Sequence, residues 1–502
     1  MNVINKFKEY NFVTKLTITI IIFAILLRFI IAAYTIEGGD PCYHASAARF
    51  VGRNFRFPLF EYIGREIFAH EPLFHIFGGF FYYIFNTFGQ GDLGIHMVSP
   101  IFGSLSIILT FFITRKLFDN KTTLFAVIFI SFLPLSIYHS TTAHIDMVGA
   151  FFALLSVYLM LKNMFYLSSI SFGLSLLGRI NSIFIAPVII YLIFKKHRKR
   201  IFVIKFLLFF MLAFFIITPW YLRNYALLHN PVWPFLNSFF GGYYKTGHDF
   251  KPDKLNYILD FKDAYLEVHL ALFGVPDGKY SNLFIIKTLL FKTALLFWLS
   301  FTLISLTPLF FFNKKYFKDK KFQLLLWASI PYIFFLYFYQ YNYGNTSTRY
   351  ILGAIPFVAI IWALGVNKLI KLNKKITIIF LITFIIVFSA SETLKTSIIS
   401  YQWKKLDNDI KWIKNNSGTN ATFLVPGQCL GYRLDRPSFP AKGTGYNLKP
   451  PLDPNIGQID YIFNIDNIVQ GPIKNDVLSY YIPYFQKIYE NNKTNVAIYK
   501  RK

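Results

Sequence analysis

Apolar runs, most of them about the length a helix needs to cross a bilayer and several shorter, recur along this chain with short basic loops between them. They fall at roughly 16–35, 95–114, 122–138, 145–161, 165–178, 180–194, 202–222, 293–312, 322–340, 350–366 and 376–391. In lipid every backbone N–H and C=O must be satisfied within the segment, which a helix does. The expected fold class is therefore an all-α polytopic membrane protein with about eleven transmembrane helices. Composition agrees: 55% of the residues are hydrophobic and only 15% charged, against about 25% charged in a soluble domain. The net charge of +27 would suggest nucleic acid in a soluble chain. Here the basic residues sit in short loops, the pattern of cytoplasmic loops in membrane proteins. No nucleic-acid partner is expected, and the partners around the spans are membrane lipids. Two cysteines, Cys42 and Cys429, are too few for a disulfide scaffold or a cysteine-rich metal site.

Loop charge sets the topology. Basic clusters occur at Arg115-Lys116, at Lys195 to Arg200, at Lys314 to Lys321 and at Lys368 to Lys375. All fall on the cytoplasmic side, together with the basic N-terminus, if the apolar run 72–88 does not span. That run holds His75, Asn86, Gly78 and Gly79 among aromatics, which suits a juxtamembrane or re-entrant helix. A plasma-membrane location follows, with the N-terminus cytoplasmic. A transmembrane domain, 1–391, then carries outer loops 36–94 and 223–292, and residues 392–502 form a small extracytoplasmic α/β domain. In that tail, strands are expected at Ala421 to Val425, Tyr461 to Asn464 and Val496 to Tyr499, and helices at 404–414 and 479–489.

Ionisable residues at span ends often serve only as anchors. What sets these apart is that the distinctive ones all fall on the outer face. Asp40 follows the first span, where it could cap the next helix with Pro41 at its first position. Asp146 starts the fourth span, close after His144, and an acid just inside an apolar segment is costly. His70 and Glu71 lie on the first outer loop. With His75 they lack the spacing of a zinc helix, so headgroup anchoring or acceptor binding is expected there and no metal. Arg179, Arg223 and Arg349, the last followed by Tyr350, stand at outer span ends, and guanidinium is the usual partner of phosphate. Asp40 and Asp146 are thus the expected catalytic residues. Glu71, His70, His144, Arg179, Arg223, Arg349 and Tyr350 are the expected substrate-binding residues.

These motifs resemble the GT-C superfamily of membrane glycosyltransferases. The closest likeness is to the dolichyl-phosphate-mannose–protein mannosyltransferases and the lipid A aminoarabinose transferases. The resemblance runs through Asp40-Pro41-Cys42-Tyr43-His44, Pro72-Leu73-Phe74, Ile145-Asp146-Met147, Gly178-Arg179, Pro219 to Tyr225, Asn230 to Phe235 and Arg349-Tyr350-Ile351-Leu352. It implies an inverting single displacement from a polyprenyl-phosphate monosaccharide to a hydroxyl of a protein, lipid or glycan. No cofactor is implied, since the lipid-linked sugar is a substrate and a divalent metal is not expected. Many relatives have an acidic pair where this chain has Asp40-Pro41. The Asp-Pro-x-Tyr-His string is also similar to oligosaccharyltransferase catalytic subunits, but the Trp-Trp-Asp-Tyr-Gly signature of those enzymes is absent. An oligosaccharyltransferase-like enzyme remains an alternative, as does a transporter or flippase of lipid-linked sugars. The latter would place charges at the midplane and show repeated halves.

Overall fold

The computed structural model describes residues 11–36, 38–59, 68–233, 236–242, 314–343, 348–441, 459–466, 473 and 475–502. The principal helices are α1 (Phe12–Tyr34), α2 (Asp40–Asn54), α3 (Leu73–Asn86), α4 (Gly91–His96), α5 (Val98–Leu117), α6 (Asn120–Phe132), α7 (Pro134–Thr141), α8 (Asp146–Leu161), α9 (Phe165–Gly178), α10 (Ala186–Lys196), α11 (Lys199–Leu228), α12 (Lys320–Tyr343), α13 (Ile355–Leu372) and α14 (Lys374–Lys404). The chain is a helical membrane protein with a small C-terminal sheet. Among the described residues, α1, the α4–α5 unit, α11 and α13 are each long and apolar enough to cross a membrane. Helices α6 and α7 are long and apolar enough only as a pair, bent by 56° at the break between them. The expected span 293–312 and most of the loop 223–292 lie outside the described residues. The run 180–194 begins with a 3-10 turn, Ile180–Ile185, before α10, while 72–88 forms α3, packed on α2.

The bend between α6 and α7 has an identifiable cause. Pro134 has no N–H to give to the Ile130 carbonyl, one turn earlier. Arg28, fully buried within α1, supplies the missing donors. Its Nη2 donates to Ile130 O at 3.2 Å, to Ser131 O at 3.0 Å and to Ser136 Oγ at 3.2 Å, and Nη1 donates to Ala24 O at 3.1 Å. A cation inside an apolar helix is thereby held by the carbonyl end of a second helix, where the helix dipole also favours it.

The C-terminal unit holds α15 (Asp407–Asn416), β1 (Phe423–Val425), α16 (Gln428–Leu434), β2 (Ser438–Pro440), β3 (Tyr461–Ile465), α17 (Asn475–Tyr481), β4 (Phe485–Asn491) and β5 (Val496–Arg501). The strands form one sheet in the order β2-β1-β3-β5-β4. β1 runs parallel to β2 and β3, and β5 runs antiparallel to β3 and β4. The three expected strands are present, as is the first expected helix. The expected helix 479–489 is a correction. Pro483 ends the helical segment in a 3-10 turn, and Phe485 onward pairs with β5 as an edge strand. The expected division at 391 falls inside α14, whose backbone ladder continues past the end of the apolar run to Lys404.

The Arg28 contacts make a measurable expectation. Arg28→Met leaves two carbonyls at the bend without donors, at about 1–3 kcal/mol each. Thermal unfolding in detergent should show clear destabilisation, while Ser136→Ala, which removes one side-chain partner, should cost about 1 kcal/mol or less.

Candidate active site

Backbone geometry brings the charged residues together. The turn into α2 is capped by Gly39 at φ 71°, a conformation that glycine adopts without strain. Asp40 stands at the first position of this helix. Its Oδ2 accepts from Arg349 Nη1 at 2.7 Å. Farther along, the start of α8 crosses the end of α9 where two glycines meet. A Cβ on Gly149 would lie 2.7 Å from the Arg179 Cβ, and one on Gly178 would lie 2.7 Å from the Gly149 Cα. That close approach sets Arg179 beside Asp146.

Arg179 is buried between two acids. Its Nε lies 3.1 Å from Asp146 Oδ1, and its Nη1 donates to Glu71 Oε2 at 3.3 Å. The other Glu71 oxygen accepts from the Ile180 N–H at 2.9 Å. The Arg179–Asp146 contact is an ion pair without hydrogen-bond alignment, since neither Asp146 oxygen accepts a hydrogen bond. The Tyr350 ring links the two ion pairs, lying 5.2 Å from the Arg179 guanidinium carbon and 5.6 Å from that of Arg349. Asn181 Nδ2 fixes the Tyr350 carbonyl at 2.9 Å. Burial alone would depress both arginines, but Asp146 and Glu71 hold Arg179 above its usual range, and Asp40 with neighbouring groups holds Arg349 well above it. Both stay cationic.

His144 lies among these groups, its Nδ1 3.9 Å from Asp146 Oδ2, and burial lowers its pKa to about 4. His70 sits against Tyr43 and His44, with ring centroids 5.3 Å and 5.2 Å away. Asp40, Asp146, Glu71, His70, His144, Arg179, Arg349 and Tyr350 therefore occupy one region. Arg223 is engaged differently. Its Nη1 donates to Phe68 O at 2.7 Å, its Nη2 to Pro58 O at 3.3 Å, and its guanidinium carbon lies 4.6 Å from the Trp220 ring centroid. It ties the segments at Pro58 and Phe68, between α2 and α3, to α11. The ligand atoms of His139, His144 and Asp146 lie within 4.8 Å of one another, so these residues could hold a cation. Arg179 already offers Asp146 a positive charge.

The C-terminal unit reaches the same helix. Cys42, two residues beyond Asp40, is disulfide-bonded to Cys429 on α16. About two α2 turns later Arg49 donates to Tyr432 O at 2.9 Å and to Asp435 Oδ1 at 3.0 Å, and it pairs with Asp92 at 2.7 Å. Arg53 donates to both Asp435 oxygens, at 3.0 Å and 2.8 Å.

Comparison with known proteins agrees with this architecture. Residues 69–222 match the family model described as dolichyl-phosphate-mannose-protein mannosyltransferase. No curated protein sequence matches the chain. The fold is similar to that of ArnT from Cupriavidus metallidurans in the apo state, with a TM-score of 0.61 at 11% identity over 96% of this chain and 97% of that one. The same protein bound to undecaprenyl phosphate gives 0.59 at 11% identity over the same shares. The Archaeoglobus fulgidus oligosaccharyltransferase in complex with Zn and sulfate gives 0.55 at 14% identity, over 96% of this chain and 73% of that one. The chain thus has the fold seen in these membrane glycosyltransferases, and its residues 69–222 are similar to the dolichyl-phosphate-mannose-protein mannosyltransferase family model.

Two expectations follow. Reducing the Cys42–Cys429 bond, or Cys429→Ser, should loosen α16 from α2 and lower the thermal midpoint in detergent; an unchanged midpoint would show the ion pairs suffice. Burial also lowers His75 to about 3 and His44 well below the usual imidazole range. The folded protein keeps both neutral while the unfolded chain takes up protons below about pH 6.5. Stability should be constant above pH 7 and fall as pH drops from 6.5 towards 3, at about 1.4 kcal/mol per pH unit for each histidine. Acid titrations of wild type and His75→Phe check this, since the variant should lose the smaller increment.

Proposed function

We propose that this protein is a glycosyltransferase that moves a monosaccharide from a polyprenyl-phosphate carrier to a hydroxyl acceptor on the outer face of the membrane. One observation carries the reading: Asp40–Arg349 and Asp146–Arg179, pairs from distant parts of the chain, meet across the Tyr350 ring. Two guanidiniums so placed suit a lipid phosphate, and the structural neighbour bound to undecaprenyl phosphate supports a carrier of that class. The disulfide supports the side, because such bonds persist in oxidising compartments. The acceptor remains a protein, lipid or glycan hydroxyl.

Asp40 is the general base. As the acceptor oxygen forms its bond to the anomeric carbon, its proton passes to Asp40, and the bond from that carbon to the phosphate oxygen breaks with its electron pair leaving on the phosphate. Phosphate leaves as a stable anion, so no general acid is needed. In the structure Arg349 pairs with Asp40 and orients its carboxylate. As the phosphate separates, Arg349 and Arg179 stabilise its growing charge. Asp146 and Glu71 fix Arg179, and the apolar surface of the bundle takes the prenyl chain. Arg223 serves the loop that covers the site.

A labelled polyprenyl-phosphate hexose, purified protein in detergent and a cell-envelope acceptor fraction test the reading. Asp40→Asn should lower transfer about 10²- to 10⁴-fold while the protein still expresses and folds, and near-normal turnover would remove Asp40 from this role. The oligosaccharyltransferase-like alternative has one observation in its favour, the His139, His144 and Asp146 cluster. The monosaccharide mechanism needs no metal, so a chelator should leave the rate unaltered; loss of activity restored by a divalent ion would favour the alternative.

A further inference from the structure

A hydrogen-bonded chain of two histidines runs beside the carboxylates and has no part in the mechanism above. His75 Nδ1 lies 3.1 Å from the Glu71 backbone carbonyl, which can only accept, so Nδ1 carries the proton and donates. His75 Nε2 lies 3.2 Å from His44 Nδ1. Both rings are buried and packed against aromatic rings, and burial lowers the pKa of each, so both are neutral. A neutral His75 protonated at Nδ1 has a lone pair at Nε2, and His44 Nδ1–H must be its donor. The tautomer of His44 is thereby fixed, and His44 Nε2 is left as an acceptor.

A neutral imidazole nitrogen of fixed tautomer is a ready acceptor for a hydroxyl donor. This one stands where a substrate would supply the donor. His44 is four residues after Asp40 on α2, so the two side chains share a helix face about one turn apart. Its electrostatic neighbours are His70, His75, His144 and Arg179. Glu71 is the common anchor: its carboxylate holds Arg179, and its backbone carbonyl sets the histidine chain. One turn of helix, about 5.4 Å, is roughly the span of a hexose ring.

We propose that His44 Nε2 accepts a hydrogen bond from one hydroxyl of the donor sugar while Asp40 serves its anomeric carbon, with His75 as the positioning residue that keeps this nitrogen unprotonated. The proposal rests on the glycosyltransferase reading and adds the sugar-reading residue to it. It makes the histidine chain a specificity device that a purely structural pair would not be.

The test uses full-length protein and polyprenyl-phosphate hexoses lacking one hydroxyl at a time. With the full donor, His44→Ala should raise KM or lower kcat/KM about tenfold. With one deoxy donor the variant and the wild type should turn over alike, because the hydroxyl that His44 reads is gone. His44→Gln, whose amide oxygen reaches near the Nε2 position, should recover part of the loss and serves if the alanine variant does not fold. His75→Phe should show the same deoxy-donor pattern with a smaller penalty, since it only frees the His44 tautomer. An equal penalty across all the donors, or none with the full donor, overturns the role of His44 and leaves the glycosyltransferase reading standing. Failure of the wild type to bind or turn over any polyprenyl-phosphate hexose overturns that reading, and this proposal with it.

Discussion

A guanidinium buried between two carboxylates is the constraint around which the site is built. Arg179, 7% exposed, meets Asp146 on α8 and Glu71 on the first outer loop. Charges withdrawn from water cost several kcal/mol each unless they are paired. The cost is offset only when the loop, the start of α8 and the end of α9 all come together. The Gly149–Gly178 crossing permits that approach, and Asn181, two residues after Arg179, then fixes Tyr350 and with it Arg349. Four parts of the chain are thus held in register by polar demands that none could meet alone.

Much of this was legible because lipid makes charge conspicuous. Asp40, Asp146, Arg179 and Arg349 interrupt or flank apolar runs, and helix parity puts them on one face. The same signal could not separate Arg349 from Arg223. Each is an arginine at a span end, but one meets a carboxylate while the other meets the Phe68 and Pro58 carbonyls. That difference depends on where the loop returns, which residue spacing does not encode. Arg28 did leave a trace, a cation in the middle of an apolar run with a proline-interrupted run elsewhere; their pairing needs the packing of α1 against α6 and α7.

The C-terminal unit shows the opposite balance. Short apolar segments marked β1, β3 and β5, but β2 and β4 are edge strands whose pairing comes from their neighbours. The run after Tyr481 has enough apolar residues to suggest a helix, and Pro483 with the partner strand β5 decides otherwise. The histidine chain was hidden for another reason. His44 and His75 are separated by α2, a loop and the start of α3, and only the tertiary fold makes them a wire.

The covalent tie between Cys42 and Cys429 spans 387 residues of sequence. Residue 429 is made 387 residues after residue 42, so the cross-link must wait until everything between them has been synthesised. Maturation of the helix that bears Asp40 is therefore coupled to delivery of the final module to the same side. A chain truncated before that module, or inserted with it facing the wrong way, would carry every charged residue of the pocket and still lack the closing bond.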